Sequence, residues 1–159
     1  MIFEEAGYSR LGPIAMNIHA PDEGNIHLME QVANPVQQKR WLIPQIEGKL
    51  RSCFAMTEPS PGAGSDPSML LTTAVKDGKD YVINGRKWWS TGAGSRHCKV
   101  FIVMGKTDLN AARHQQQSMI VVPSDTPGVT VVRPVPVFGF DHAPHGHMEV
   151  LLENVRVPA

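Results

Sequence analysis

The chain has no net charge, no closely spaced cysteines, no long apolar run and no low-complexity tract. Lysine plus arginine and aspartate plus glutamate number 15 each. No field of one sign therefore draws the surface to nucleic acid or to an anionic membrane. Cys53 and Cys98 stand far apart and form no CxxC motif, so they read as buried reduced thiols in a reducing compartment. No apolar stretch approaches the roughly 20 residues of a spanning helix. The opening Met1-Ile2-Phe3-Glu4-Glu5 lacks the basic and apolar regions of a secretory signal. The expected location is cytoplasmic, or mitochondrial or peroxisomal in a eukaryote.

What is present is an ordinary soluble composition, 42% hydrophobic and 19% charged over 159 residues, enough for one core or one domain with a helical appendage. From Phe3 to about Gly48 the signals are helical. Asp22 is placed to cap a short turn, and Asn34-Pro35 is a cap followed by proline at the first helical position. Ile26, Met29 and Val32 fit an apolar stripe, and the following helix runs toward a break at Pro44. From Arg51 the texture turns to β. Candidate strands are Ser52 to Thr57, Leu70 to Lys76, Tyr81 to Asn84, Lys87 to Thr91, Val100 to Gly105, Ser118 to Pro123, Val129 to Pro134 and Gly146 to Leu152. The polar run Thr107 to Gln117 reads as a connection between two of them. Many short strands behind a helical lead predict an α+β protein with a β-barrel or sandwich.

Two stretches carry chemistry. Ser52 to Thr57 alternates with period 2 and then stops at Glu58-Pro59, followed by Ser60-Pro61-Gly62-Ala63-Gly64-Ser65-Asp66, which cannot continue a central strand. Such a loop is either a surface turn or a cradle for a ligand's oxygens. In Asp80 to Gly94 a hairpin turn is expected at Asn84-Gly85. The run after it carries Trp88-Trp89-Ser90-Thr91, with Trp88 and Ser90 on one face and Trp89 and Thr91 on the other. Taken alone, the two tryptophans read as core and interface residues.

Together these stretches resemble the FAD-dependent acyl-CoA dehydrogenase family. The resemblance rests on Met56-Thr57-Glu58-Pro59 ending in Gly64-Ser65-Asp66, and on Tyr81-Val82-Ile83-Asn84-Gly85 followed by Lys87-Trp88-Trp89-Ser90-Thr91-Gly92. Asp125-Thr126-Pro127-Gly128-Val129 and Glu153-Asn154-Val155-Arg156-Val157-Pro158 complete it. One departure stands out, since TEPSPGAGSD is two residues longer than the commoner TEPGAGSD, which loosens the register of Ser65 and Asp66. The resemblance implies that residues 1–49 end a helical domain and residues 50–159 form the middle β domain. The C-terminal four-helix domain is absent from the sequence.

The implied activity is α,β-dehydrogenation of an acyl-CoA in fatty acid metabolism, with hydride passing to flavin N5. By resemblance Phe54, Met56 and Thr57 form the strand end at the pyrimidine edge of FAD, and Trp89 packs on its ring system. Ser90, between them, also counts by resemblance among the FAD-binding residues, and Thr91 places a hydroxyl near N5. Gly64 and Ser65 face the thioester arm of the substrate. An electron-transferring flavoprotein is the implied acceptor, and a homo-oligomer the implied full-length form. The family's catalytic carboxylate lies in the C-terminal helical domain, so no catalytic residue is assigned here and the 159-residue chain is expected to be inactive alone. A stand-alone flavin or acyl-CoA binding module is the rival, and acyl-CoA oxidases and flavin monooxygenases share the fold.

Phe138 to His147 holds three histidines and an aspartate within seven residues, His142, His145, His147 and Asp141. The pattern is open to a metal site or to a plain loop. The family uses no metal, and a histidine-rich loop here resembles the subgroup often fused to a kinase-like domain and associated with 4-hydroxyacyl-CoA substrates. Asn17, His19, Asp22 and Asn25 lie where family members line the acyl cavity, and equally read as caps and turn polars.

Overall fold

The computed structural model describes residues 2–9 and 11–159. Short helices lead: α1 (Ile2–Gly7), α2 (Gly12–Ala15), α3 (Asp22–Val32) and α4 (Pro35–Gln37), which runs through a π-helical turn (Gln38–Leu42) into α5 (Ile43–Ile46). Asn34 and Gln37 cap reciprocally, Gln37 N donating to Asn34 Oδ1 at 2.9 Å and Asn34 N to Gln37 Oε1 at 3.0 Å, with Pro35 at the first turn. The expected break at Pro44 does not occur. The π turn just ahead of it, closed by Ile43 N on Gln38 O, widens the helix where proline lacks an N–H and its ring would crowd the preceding turn. On α3, Met29 is buried as the stripe requires, but Val32 is exposed and Asp22 and Asn25 take the remaining buried places.

Seven strands follow: β1 (Arg51–Ala55), β2 (Thr73–Asp77), β3 (Asp80–Thr91), β4 (Cys98–Lys106), β5 (Gln117–Pro123), β6 (Val129–Pro134) and β7 (His147–Pro158). They form one curled mixed sheet, a half-barrel in the order β1-β4-β2-β3-β7-β6, with β5 on β4. β1 runs parallel to β4, and β2 meets β4 only at Thr73 and Lys106, so β1 and β2 follow one another along the same edge. The α+β class is as the pattern predicts.

The hairpin expected at Asn84-Gly85 is a correction. β3 passes straight through those residues, and the reversal lies at Gly78-Lys79, where Asp77 pairs with Asp80 and Gly78 takes φ +64°. Gly85 answers a different demand, since a Cβ there would stand 2.2 Å from Thr72 Oγ1. Opposite it β7 bulges, with Asn154 at φ +52° and its N–H donating to Asn84 Oδ1 at 2.8 Å. β7 is also longer than expected, because Val155 to Pro158 pairs with Asp80 to Ile83. Leu70 is buried but precedes β2, after a short helical turn over Pro67–Met69.

β4 is covered on both faces, which explains its nearly unbroken apolar run. Phe101 and Val103 point into the curl with Cys53, Ala55, Ile83, Val122, Val150, Leu152 and Val155. Val100 and Ile102 face the helices with Met29, Leu42, Trp41 and Phe54. Among the described residues no helix is long and apolar enough to cross a membrane.

Candidate functional site

Beyond Ala55 the chain of β1 leaves β4 and joins β3. Trp88 N donates to Thr57 O at 3.0 Å, and Thr57 Oγ1 donates to Trp88 O at 2.6 Å. Beneath this junction lies a fully buried lysine. Lys87 Nζ donates to Met56 O at 2.8 Å and to Glu58 Oε1 at 2.9 Å, with neither side chain reaching solvent appreciably. The Glu58 carboxylate also accepts from Leu71 N at 2.7 Å, Thr72 N at 2.9 Å and the Thr72 hydroxyl. Burial would push the Glu58 carboxyl up, yet the hydrogen bonds from Thr72, Lys87 and Leu71 hold it below its ordinary value of 4.5. Burial draws the Lys87 ammonium below 10.5, against the opposing pull of Glu58. The result is a satisfied ionic knot that fixes Met56 and Thr57 against β3 and β2.

The expected alternation at Trp88 to Thr91 does not survive. Lys87 opposes Val150 while Ser90 opposes Met148, so three steps on β3 match two on β7. The extra residue is absorbed at Trp89, held at φ +53°, a left-handed conformation unusual for a bulky side chain. Consequently Lys87 and Ser90, three apart, are both buried, while Trp89 keeps 39% of its surface exposed. Trp89 and Thr91 meet by another route, through His147 of β7. Thr91 Oγ1 lies 2.9 Å from His147 Nδ1, and the Trp89 and His147 rings stand 6.1 Å apart.

Of the residues singled out in the sequence, Met56, Thr57, Trp89 and Thr91 thus gather where β1 ends on β3. Phe54 packs against the helical layer, and the Ser90 side chain is fully buried. Gly64 and Ser65 are exposed on a loop drawn back on itself by Glu58 N donating to Ala63 O at 2.6 Å. That loop ends at Asp66, which accepts from Ser68 N at 2.9 Å and from Arg113 at 3.1 Å.

Three of the four polar residues of the helical part fasten α3 and its approach to β1. Asp22 does not cap its helix. Its carboxylate accepts from Ser52 N at 2.6 Å, from Ser52 Oγ at 2.8 Å and from Arg51 at 3.3 Å. Asn25 donates to Ser52 Oγ at 2.8 Å, and Asn17 accepts from Arg51 at 2.7 Å. The fourth, His19, stacks edgewise on His145 at 5.2 Å, and a cavity of about 330 Å³ opens between them, Asp22, Arg51 and Gly92. His142 packs on His147 at 5.0 Å. Burial first, then the charges of neighbouring histidines, hold His145 and His147 below 6.5. Among the described residues no three histidine, cysteine or carboxylate side chains converge as metal ligands do. Cys53 and Cys98 are free and buried, and burial pushes the Cys98 thiol up to about 12.

The knot of Lys87 and Glu58 was missed by sequence reasoning, although one signal was available. Ile83, Gly85 and Lys87 lie two apart on one strand face, and Ile83 is plainly a core residue. A lysine in that series is an inward lysine that needs a carboxylate.

Comparison with known proteins adds three findings. The family model described as acyl-CoA dehydrogenase, middle domain, matches residues 53–155. Mycobacterium tuberculosis FadE2, a probable acyl-CoA dehydrogenase, is 52% identical over 157 residues, and acyl-CoA dehydrogenase family member 11 of Gallus gallus is 49% identical over 160. The chain, 98% and 99% covered by these matches, spans only 38% and 20% of the two relatives. A solved Mycobacterium abscessus structure assigned to the acyl-CoA dehydrogenases superposes with a TM-score of 0.94 at 48% identity, covering 98% of this chain and 38% of that one.

Proposed function

The chain belongs to the acyl-CoA dehydrogenase family, whose middle domain it carries, and from that premise we propose that it is the flavin-facing portion of an enzyme oxidising an acyl-CoA between its α and β carbons. In this reading residues 1–49 close a helical domain, residues 50–159 are the β domain, and the carboxylate that removes the α proton comes from a further helical domain. The observation that carries the reading is the junction of Met56 and Thr57 with the strand bearing Trp89 and Thr91, made rigid by the buried Lys87–Glu58 pair.

The residues present fit FAD, the cofactor of the family. A large aromatic ring is left 39% exposed beside a fixed strand end, in a backbone conformation that costs free energy, on the order of 1–3 kcal/mol. Strain of that kind persists where the surroundings impose it, and a ring stacked on a cofactor gives it a use. When bound, FAD supplies a two-electron sink for the β hydrogen. Trp89 would hold the ring system, Thr91 would set a hydroxyl at its edge, and the backbone at Phe54, Met56 and Thr57 would offer N–H groups to its electron-rich rim. The Ser90 side chain, turned inward, would serve only through its backbone. Gly64 and Ser65 would meet the thioester arm of the acyl-CoA. An electron-transferring flavoprotein is the proposed acceptor, a homo-oligomer the proposed assembly and a cytoplasmic or organellar compartment the proposed location. The histidine-rich loop, which resembles that of the subgroup whose members carry kinase-like domains, favours a 4-hydroxyacyl chain.

The test is steady-state reduction of an artificial electron acceptor by the complete gene product with acyl-CoAs of graded length, with and without a 4-hydroxyl. Acyl-CoA-dependent acceptor reduction without hydrogen peroxide release is the expected result, and the 159-residue chain alone is expected to show none. Peroxide release in place of acceptor reduction would make the protein an oxidase.

A further inference from the structure

Thr91 and His147 are cross-strand partners on β3 and β7, and their side chains meet at 2.9 Å, Oγ1 to Nδ1. A hydroxyl can donate once and accept, and a neutral imidazole nitrogen either donates or accepts, whereas a protonated imidazole can only donate. While His147 accepts at Nδ1, the Thr91 proton is committed to it and only a lone pair of Oγ1 points elsewhere. Once His147 carries two protons, Nδ1–H must donate to Oγ1, and the Thr91 proton is released outward. With the neutral ring protonated at Nε2, the pair is a two-position hydroxyl controlled by one imidazole.

We propose that His147 is a positioning residue for Thr91: its proton decides whether the Thr91 hydroxyl offers a proton or a lone pair to the ring edge held against Trp89. The proposal rests on the cofactor reading above. Flavin N5 is a hydrogen-bond acceptor when oxidised and carries a donor N–H when reduced, so each position of the hydroxyl suits one oxidation state. The geometry supports the coupling, because His147 also packs on Trp89 at 6.1 Å and its backbone is held by Val135 N donating to His147 O at 2.7 Å.

The ionisable neighbours of His147 set where it titrates. His142 packs on it from the preceding loop, His145 lies two residues away, and His19 joins through His145 from the helical part. Arg133 of β6 and Arg86 of β3 are both committed to Glu149. Burial and the His142 charge hold His147 below 6.5, so the hydroxyl turns over only below that pH.

The experiment follows visible absorbance of the flavin-loaded complete gene product from about pH 8 to about pH 5, for wild type, His147→Phe, His147→Gln and Thr91→Val. Wild type is expected to show a band shift with an inflection below pH 6.5, and all three variants to lose the inflection, the two His147 variants while retaining flavin. Nitrogen NMR of the histidine rings supplies a readout without turnover: Nε2–H is the expected neutral tautomer of His147, and Thr91→Val relaxes that preference. An inflection that survives in His147→Phe and His147→Gln overturns the proposal alone, as does a wild type whose flavin binds through Trp89 but whose spectrum is flat with pH. A protein that takes up no flavin overturns the cofactor reading and this proposal together.

Discussion

Replacing Lys87 by methionine removes a buried cation while roughly preserving the buried stem. In the native protein Nζ bridges Met56 O and Glu58 Oε1, and neither Lys87 nor Glu58 is appreciably exposed. After the change Glu58 keeps three donors, Leu71 N, Thr72 N and the Thr72 hydroxyl, but its charge no longer has a counter-ion. Removing one member of a buried pair costs about 3–5 kcal/mol, a large part of the ~5–15 kcal/mol that holds an ordinary domain folded. Glu58→Gln in the same chain removes the stranded charge and keeps one acceptor oxygen, which serves Thr72 while the new NH2 group faces Leu71 N. The double variant should therefore recover on the order of 1–3 kcal/mol relative to the sum of the single losses. The assay is urea unfolding of the four proteins at neutral pH, repeated in acid. Because Glu58 is held below 4.5, its contribution is complete above pH 4.5 and is lost as pH falls through the lower folded value. Glu58→Gln should flatten that acid limb. A Lys87→Met loss under ~1 kcal/mol, or strict additivity of the pair, would show that the two groups do not form a stabilising unit.

Three further outcomes are expected. Gly85→Ala should destabilise by roughly 1–3 kcal/mol through overlap with Thr72, measured by urea midpoint, and Thr72→Ser should return part of the loss by removing the methyl group that lies 2.8 Å from the added Cβ. With His145 and His147 held below 6.5, the unfolded chain binds more protons between their folded values and 6.5, so stability should fall as pH drops through that window. Unfolding at about pH 7.5 and about pH 5.5 checks the sign. Neither Cys53 nor Cys98 should react with a thiol reagent at about pH 8 until the protein unfolds, after which both should titrate.

The sequence was legible wherever one local rule met no competing demand. The run Val100 to Gly105 reads as a strand because nothing but packing acts on it, and Asn34-Pro35 reads as a cap because its box closes within four residues. Asn84-Gly85 misled because the dipeptide that favours a hairpin turn here serves two other needs, a backbone approach to Thr72 and a side-chain acceptor for the Asn154 bulge. The bulge at Trp89 was invisible, since nothing in two adjacent tryptophans announces an inserted residue, and it rearranged the faces of Trp88 to Thr91. Asp22 and His19 act on residues far along the chain, Ser52 and His145, which local spacing cannot reveal. Lys87 shows the same limit from the other side, because its inward face was readable but its partner Glu58 comes from the distant segment after β1.

The most direct test of the flavin site is an FAD titration of the complete gene product, followed by visible absorbance, for wild type and Trp89→Ala. Wild type is expected to show a perturbed flavin spectrum, and Trp89→Ala a clear loss of flavin retention. A wild-type protein that leaves the spectrum of free FAD unchanged, or a Trp89→Ala variant that holds flavin as tightly as wild type, would contradict that site.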